Sequence, residues 1–250
     1  SCALNFGENG GAVGYLVGEE NKGLRYMFHM MNEARIMVGS AAAIMGLAGF
    51  QYSLDYSKER PQGRLPSCKD PLSAPVNIIE HADVRRMLLK QKTYAEGSLA
   101  LCLFASSLVD DSKTANTEAQ RRDSAELLDL LTPVVKSWPS KYGCITNDLA
   151  IQVFGGAGYM REHPIEQMYR DQRLNPIHEG TEGIHGIDLL GRKISASNQK
   201  GYKLFMTEVH NTLSSPETPD PYKISLYKAL ERLELVTTQL VSDIQKDPDS

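Results

Sequence analysis

The chain has 250 residues, 41% of them hydrophobic, enough for one sizeable core with appendages. A net charge of −4 and a sequence pI near 5.9 disfavour nucleic acid or an anionic membrane surface as partner. The four scattered cysteines show no CxxC pair, and Cys102 and Cys144 fall in apolar helical stretches, so free thiols in a reducing, cytoplasmic compartment are expected.

The N-terminus lacks the charged, then apolar, then small-residue layout of a signal peptide, and no apolar run reads as long enough to span a bilayer. "GGAVGYLVGEENKG" has the alternation and glycines of a strand and turn at 11–18, with no second strand nearby to pair with it. Residues 1 to about 20 therefore read as the tail of a β-rich domain lying mostly outside this sequence. From Lys22 to about Glu59 there is no proline, and Met27, Met31, Ala34, Val38, Ala42, Met45, Gly49 and Tyr52 recur at steps of three and four, one face of a long helix. The small residues of "GSAAAIMGLAG" (39–49) would let a neighbouring helix approach closely. "RPQGRLPSCKDPLSAP" (60–75) is a long loop. A second helix is predicted from about Val76 to Val109, broken by "DDSKTAN", and a third from near Thr117, interrupted by Pro133 and Pro139. A further helix, "YGCITNDLAIQVF", stops at Gly155; short helices follow at 164–173 and 181–194, and two amphipathic ones flank "SSPETPD". Long helices with short connections predict an all-α, up-and-down four-helix bundle with a short β remnant in front and extra helices behind.

"QVFGGAGYM" (152–160) is no dinucleotide fingerprint, because it follows a helix rather than a strand. Ending a helix explains Gly155 but does not require three glycines in four residues. A backbone free of side chains would also suit close approach of a flat or phosphorylated ligand. Glu179, in "IHEGTEGIHGIDLLG" (177–191), has two local readings: an acid near the start of a helix capped by Thr181, or a carboxylate aimed at a substrate. The six histidines show no metal-ligand spacing, so no metal is expected.

Three motifs in fixed order carry the reading further. "MNEARIMVGSAAAIMGLAGFQYSLDYSKERPQGR", "QVFGGAGY" and "IHEGT" together resemble the C-terminal helical domain of the acyl-CoA dehydrogenases over roughly residues 10–195. "ERPQGR", the long loop after it and "HADVRRML" are similar to a longer subgroup, which includes 3-methylmercaptopropionyl-CoA dehydrogenases and alkylation-response relatives. The resemblance implies a helical bundle over 21–197 behind a truncated β-domain (1–20), with an additional helical region beginning at 198. It implies FAD as cofactor, an acyl-CoA substrate oxidised to the trans-2-enoyl-CoA, an electron-transfer flavoprotein as acceptor and a homodimer or homotetramer. Neither nucleic acid nor membrane is implied as a partner. By the same resemblance Glu179 matches the base that removes the α-proton; desolvation beside an acyl chain would raise its pKa and suit it to that task. Gly180 would lie near the thioester and Thr181 would hydrogen-bond the cofactor. Arg60 matches the arginine of the FAD diphosphate. Gln152, Gly155 and Gly156 match the turn that meets the FAD adenosine of a neighbouring subunit. Arg35 matches a helix arginine near the base and thioester, although a buried arginine also serves simply to pair with an acid.

The sequence departs from the family pattern at Asn32 (commonly aspartate), His178 (commonly tyrosine) and Gly183 (commonly glutamine), and "PQGR" lacks the frequent Phe-Gly pair. These changes bear on acyl-chain-length preference and fine cofactor contacts, not on the base. Two other readings remain open: an FAD-binding alkylation-response relative that contacts DNA, and a non-catalytic helical module for oligomerisation.

Overall fold

The apolar stripe that starts after Lys22 forms one helix, α1 (Gly23–Glu59), in a computed structural model that describes residues 2–194 and 199–246. At about 1.5 Å per residue its 37 residues span ~55 Å. It is followed by α2 (Ala82–Thr114) and α3 (Glu118–Phe154). Ile36 shares one core cluster with Cys102, Leu108 and Leu127, while Tyr56 shares another with Val84, Met87 and Val153. The chain therefore runs up, down and up, with α2 antiparallel to both neighbours. The fourth side is closed by shorter pieces: α4 (Ile165–Gln172), α5 (Glu182–Ile187) continued by a widened π-turn to Ile194, and α6 (Lys200–Ser214). A Cβ at Gly201 would lie 2.7 Å from the Glu126 carbonyl, so α6 begins directly on α3; Leu204 and Phe205 add to the core there. The last helix, α7 (Asp220–Lys246), follows the "SSPETPD" break. The domain boundary expected at 197–198 lies outside the described residues.

Several expectations are corrected. No strand forms among the described residues: 11–17 is exposed and without regular structure, because a lone extended segment has nothing to satisfy its backbone groups. The second helix starts at Ala82 rather than near Val76, because Val76 and Ile78 donate their N–H groups to the carbonyls of Gly63 and Arg60. It also runs on to Thr114, its aspartates being solvated on the surface. By length and composition α1 would suffice to cross a membrane, its most apolar 18-residue window having a mean hydropathy of 1.3. Half of that window is buried inside the bundle, so packing against α2 and α3 accounts for its apolarity.

The largest correction concerns α3, which passes unbroken through Pro133 and Pro139. Each proline removes one backbone donor, at a cost of roughly 3 kcal/mol in an ordinary helix interior. Pro139 leaves the Val135 carbonyl without its usual partner four residues on. Gly39 of α1 lies against that oxygen: a Cβ there would be 2.2 Å from it. A glycine Cα–H can rest on a free carbonyl where any side chain would be expelled. Nearby, the Ser140 hydroxyl donates to the Lys136 carbonyl at 2.6 Å and Thr132 to Leu128 at 2.8 Å. The small-residue stripe does what its sequence suggested: Gly39, Gly46 and Gly49 all face α3 at close range. Gly39→Ala should lower stability by about 1–3 kcal/mol through overpacking. Gly97→Ala, on the exposed face of α2 with open space around it, should be neutral or stabilising by up to about 1 kcal/mol. Paired thermal melts read both; equal melting temperatures would refute the close contact.

Candidate functional site

The connection from α4 to α5 carries Glu179, and buried amides fix where it runs. Gln172, at the end of α4, is fully buried and donates its amide to the Ala42 carbonyl of α1 at 3.3 Å. Gly143 makes room for it, since a Cβ there would lie 1.8 Å from the Gln172 nitrogen. Asn175 donates to the Gln172 side-chain oxygen at 3.2 Å, and the ring Nε2 of His178 lies 3.2 Å from the Asn175 oxygen. The chain then makes a left-handed turn: φ is +53° at Glu179 and +99° at Gly180. For glutamate this is a sparsely populated conformation, held only where the surroundings over-determine it. At Gly180 a side chain is excluded twice, by φ and by the His185 ring, which a Cβ would meet at 3.0 Å. Glycine here thus has a cause within the fold, besides the room for a thioester that the family resemblance suggests.

The turn also bears on the two local readings of Glu179. Thr181 occupies the N-cap of α5, although its hydroxyl makes no capping hydrogen bond, and the first-turn acid is Glu182. Glu182 is paired across to Lys141 at 2.7 Å. The place of a helix-start acid is therefore filled by another residue, and Glu179 stands outside the helix, half-buried, on the strained turn.

Behind the turn lies a buried polar group. Arg35 of α1 is 6% exposed and pairs through its Nη1 with Asp188 at 2.8 Å. The acid-pairing alternative for Arg35 is thus realised, with its Nε still lacking a partner. Lys136 of α3, 1% exposed, donates from Nζ to the Gly180 carbonyl at 2.6 Å. Burial pushes the Lys136 amine down to about 8; the Glu179 carboxylate pulls it up and Arg35 pushes it down. His185, also buried, is pushed down to about 4, first by burial and then by Arg35 and Lys136. It is neutral at neutral pH, and both its ring nitrogens lack partners.

The predicted site residues fall into two groups. Glu179, Gly180, Thr181 and Arg35 lie together around this turn. Arg60, Gln152, Gly155 and Gly156 lie at the other end of α1 and α3; 16 residues of helix between Lys136 and Gln152 correspond to ~24 Å. There Arg60 ends α1, exposed, and Gly155 (φ +61°) ends α3. Added Cβ atoms at Gly155 and Gly156 would meet nothing, so this is an open backbone surface beside the exposed Gln152. Under it Tyr56 stacks on Phe154 with centroids 4.1 Å apart, and His163 meets both edge-on.

Sequence reasoning missed Lys136, His185 and Asp188. A signal existed for Lys136: a lone charge in "LLTPVVKSWP" on the same helical stripe as the buried Thr132, Ser140, Gly143 and Asn147.

Comparison with known proteins agrees with this architecture. Residues 21–194 match the acyl-CoA dehydrogenase C-terminal domain. The chain is 40% identical over 183 residues to 3-methylmercaptopropionyl-CoA dehydrogenase of Ruegeria pomeroyi, covering 73% of this chain and 31% of that one. It is 34% identical over 225 residues to a butyryl-CoA dehydrogenase of Syntrophomonas wolfei, covering 88% and 37%. Among solved structures, Caenorhabditis elegans ACDH-11 in complex with C11-CoA superposes with a TM-score of 0.75 at 25% identity, over 96% of this chain and 37% of that one. This bundle with its glutamate-bearing turn belongs to the acyl-CoA dehydrogenase family, as that family's C-terminal helical domain. The chain spans about a third of the length of the curated relatives it matches.

The buried His185 makes stability depend on pH. The unfolded chain takes up its proton near 6.5, the folded chain only near 4. The unfolded state therefore binds more protons between those values, and stability falls as pH drops through that window. Urea midpoints measured from pH 7.5 to 4 should show this fall in the wild type and a weaker one in His185→Gln. Identical slopes would mean that the ring is not kept neutral.

Proposed function

We propose that the intact protein is an FAD-dependent acyl-CoA dehydrogenase, with Glu179 as the base that takes the α-proton of an acyl-CoA thioester. The observation that carries this reading is the strained turn: a glutamate held at φ +53°, outside the helix it precedes, with the buried Lys136 bonded to the carbonyl of the next residue. Strain of this kind is characteristic of functional positions. Bound FAD would supply the acceptor for the β-hydride, leaving the trans-2-enoyl-CoA. The chain's own part is to hold the carboxylate still and keep a glycine, Gly180, beside it so that a substrate can approach. Arg35 holds the π-turn that follows α5 through Asp188, and the exposed Thr181 hydroxyl is free of capping duty and fits a cofactor hydrogen bond.

The open turn at 155–156, with Arg60 and Gln152, fits the diphosphate and adenosine end of a neighbouring subunit's FAD. Its distance from Glu179 supports a homodimer or homotetramer in which each flavin is served by two chains. Electrons would leave to an electron-transfer flavoprotein, and the free thiols fit a reducing, cytoplasmic setting.

In the intact protein, Glu179→Gln should slow flavin reduction by acyl-CoA by roughly 10²–10⁴, the usual loss for a general base, with FAD content and melting temperature little changed. Stopped-flow bleaching with a panel of acyl-CoAs measures it, and normal bleaching would name another base. Arg60→Ala should lower FAD retention in equilibrium dialysis while leaving the melting temperature of the bundle unchanged, because the side chain is exposed. Unchanged retention would remove Arg60 from the cofactor site.

A further inference from the structure

Lys136 is a buried charge that a simple tie between helix and loop does not need. A neutral donor would hold the Gly180 carbonyl without the desolvation cost of a buried ammonium. Among the described residues no acid lies within ion-pair distance of its Nζ, in contrast to Arg35, which has Asp188. The carboxylate that acts on Lys136 is Glu179.

We propose that Lys136 is the positioning residue of the Glu179 base: its ammonium group pins the Gly180 carbonyl, keeping the Glu179–Gly180 pair left-handed, and sets a positive charge near the carboxylate. This rests on the reading of Glu179 as the base. Geometry carries the first half, and the electrostatic pull of Glu179 on the Lys136 amine supports the second. The 2.6 Å bond crosses 44 residues of sequence from the middle of α3 to the turn, and the two positive φ values adjoin it. As a general rule, removing an opposite charge from the surroundings of a carboxylate disfavours its ionised form, the form a base must have before substrate arrives. The remaining charged and titratable groups around Lys136 are Arg35 from α1, Lys141 and Cys144 from its own helix, Arg173 and Glu182 from the flanks of the turn, and His185 and Asp188 from α5 and its π-turn. Glu182 is taken by Lys141 and Asp188 by Arg35, so Glu179 remains as the acid that Lys136 serves.

The test compares Lys136→Gln, which keeps a donor and drops the charge, with Lys136→Arg, which keeps the charge, in the full-length flavoprotein. The first readout needs no turnover: the Glu179 carboxyl carbon is titrated by NMR on protein labelled with ¹³C-glutamate, its resonance assigned by loss in Glu179→Gln. The expected result is a titration midpoint higher by on the order of one pH unit in Lys136→Gln and near wild type in Lys136→Arg. The second readout is the pH profile of flavin reduction by acyl-CoA, whose acid limb should move up with that midpoint in Lys136→Gln alone. A midpoint that is the same in all three proteins overturns the proposal, leaving Lys136 a structural tie. A Lys136→Gln protein that fails to fold while Lys136→Arg folds also overturns it, since the charge would then serve the fold. Wild-type flavin that no acyl-CoA bleaches would defeat the dehydrogenase reading alone, and the carboxyl titration would still decide the role of Lys136.

Discussion

The contact between Gly39 of α1 and the Val135 carbonyl of α3 sets the register on which the site depends. Arg35 lies one turn before Gly39, and Lys136 follows Val135 directly. Seating the glycine on the carbonyl that Pro139 frees brings both cations within about one and a half helical turns of each other along the bundle. A slip by one turn would carry either of them ~5.4 Å along its axis, past the reach of Asp188 or Gly180. Two features that are separately unfavourable in helices, an internal proline and a helical glycine, compensate each other across the interface.

The cations then order the loop. Arg35 engages the π-turn through Asp188, Lys136 engages Gly180, and the buried Gln172 ties the end of α4 to α1. Between these fixed points only a few residues remain, and the left-handed pair at 179–180 is how the chain spans them. The neutral His185 fills the space beneath Gly180, so the same contacts that aim the carboxylate also exclude a side chain beside it.

Much of this was legible in the sequence, where local rules govern. The 3.6-residue stripe of α1, the start of α3 near Thr117 and the glycines that end it are written in adjacent residues. Pro133 and Pro139 misled because a proline reads as a breaker unless its lost bond is compensated, and for Pro139 the compensation comes from Gly39 of α1, a hundred residues earlier. The start of α2 misled similarly, since 76–78 is committed to pairing with 60–63. At the site, motifs named Glu179, Gly180 and Arg35, but the partners that hold them are single polar residues in apolar runs. Lys136, His185 and Asp188 differ from ordinary surface residues only through the tertiary packing that buries them. The separation of Arg60, Gln152, Gly155 and Gly156 from Glu179 was beyond sequence for the same reason, since a motif list carries no distances.

On the proposed role of Glu179 as base, its left-handed conformation sets fold and chemistry against each other at one residue. Asparagine and glycine enter that region of backbone space more easily than glutamate, so the most comfortable residue for the turn is not the one a base requires. Selection for robustness alone, in a laboratory library screened by heat or protease, would drift away from glutamate at this position, and towards it again once turnover is demanded. If Glu179 is the base proposed above, a glutamate kept at position 179 in a lineage would record selection for chemistry rather than for folding.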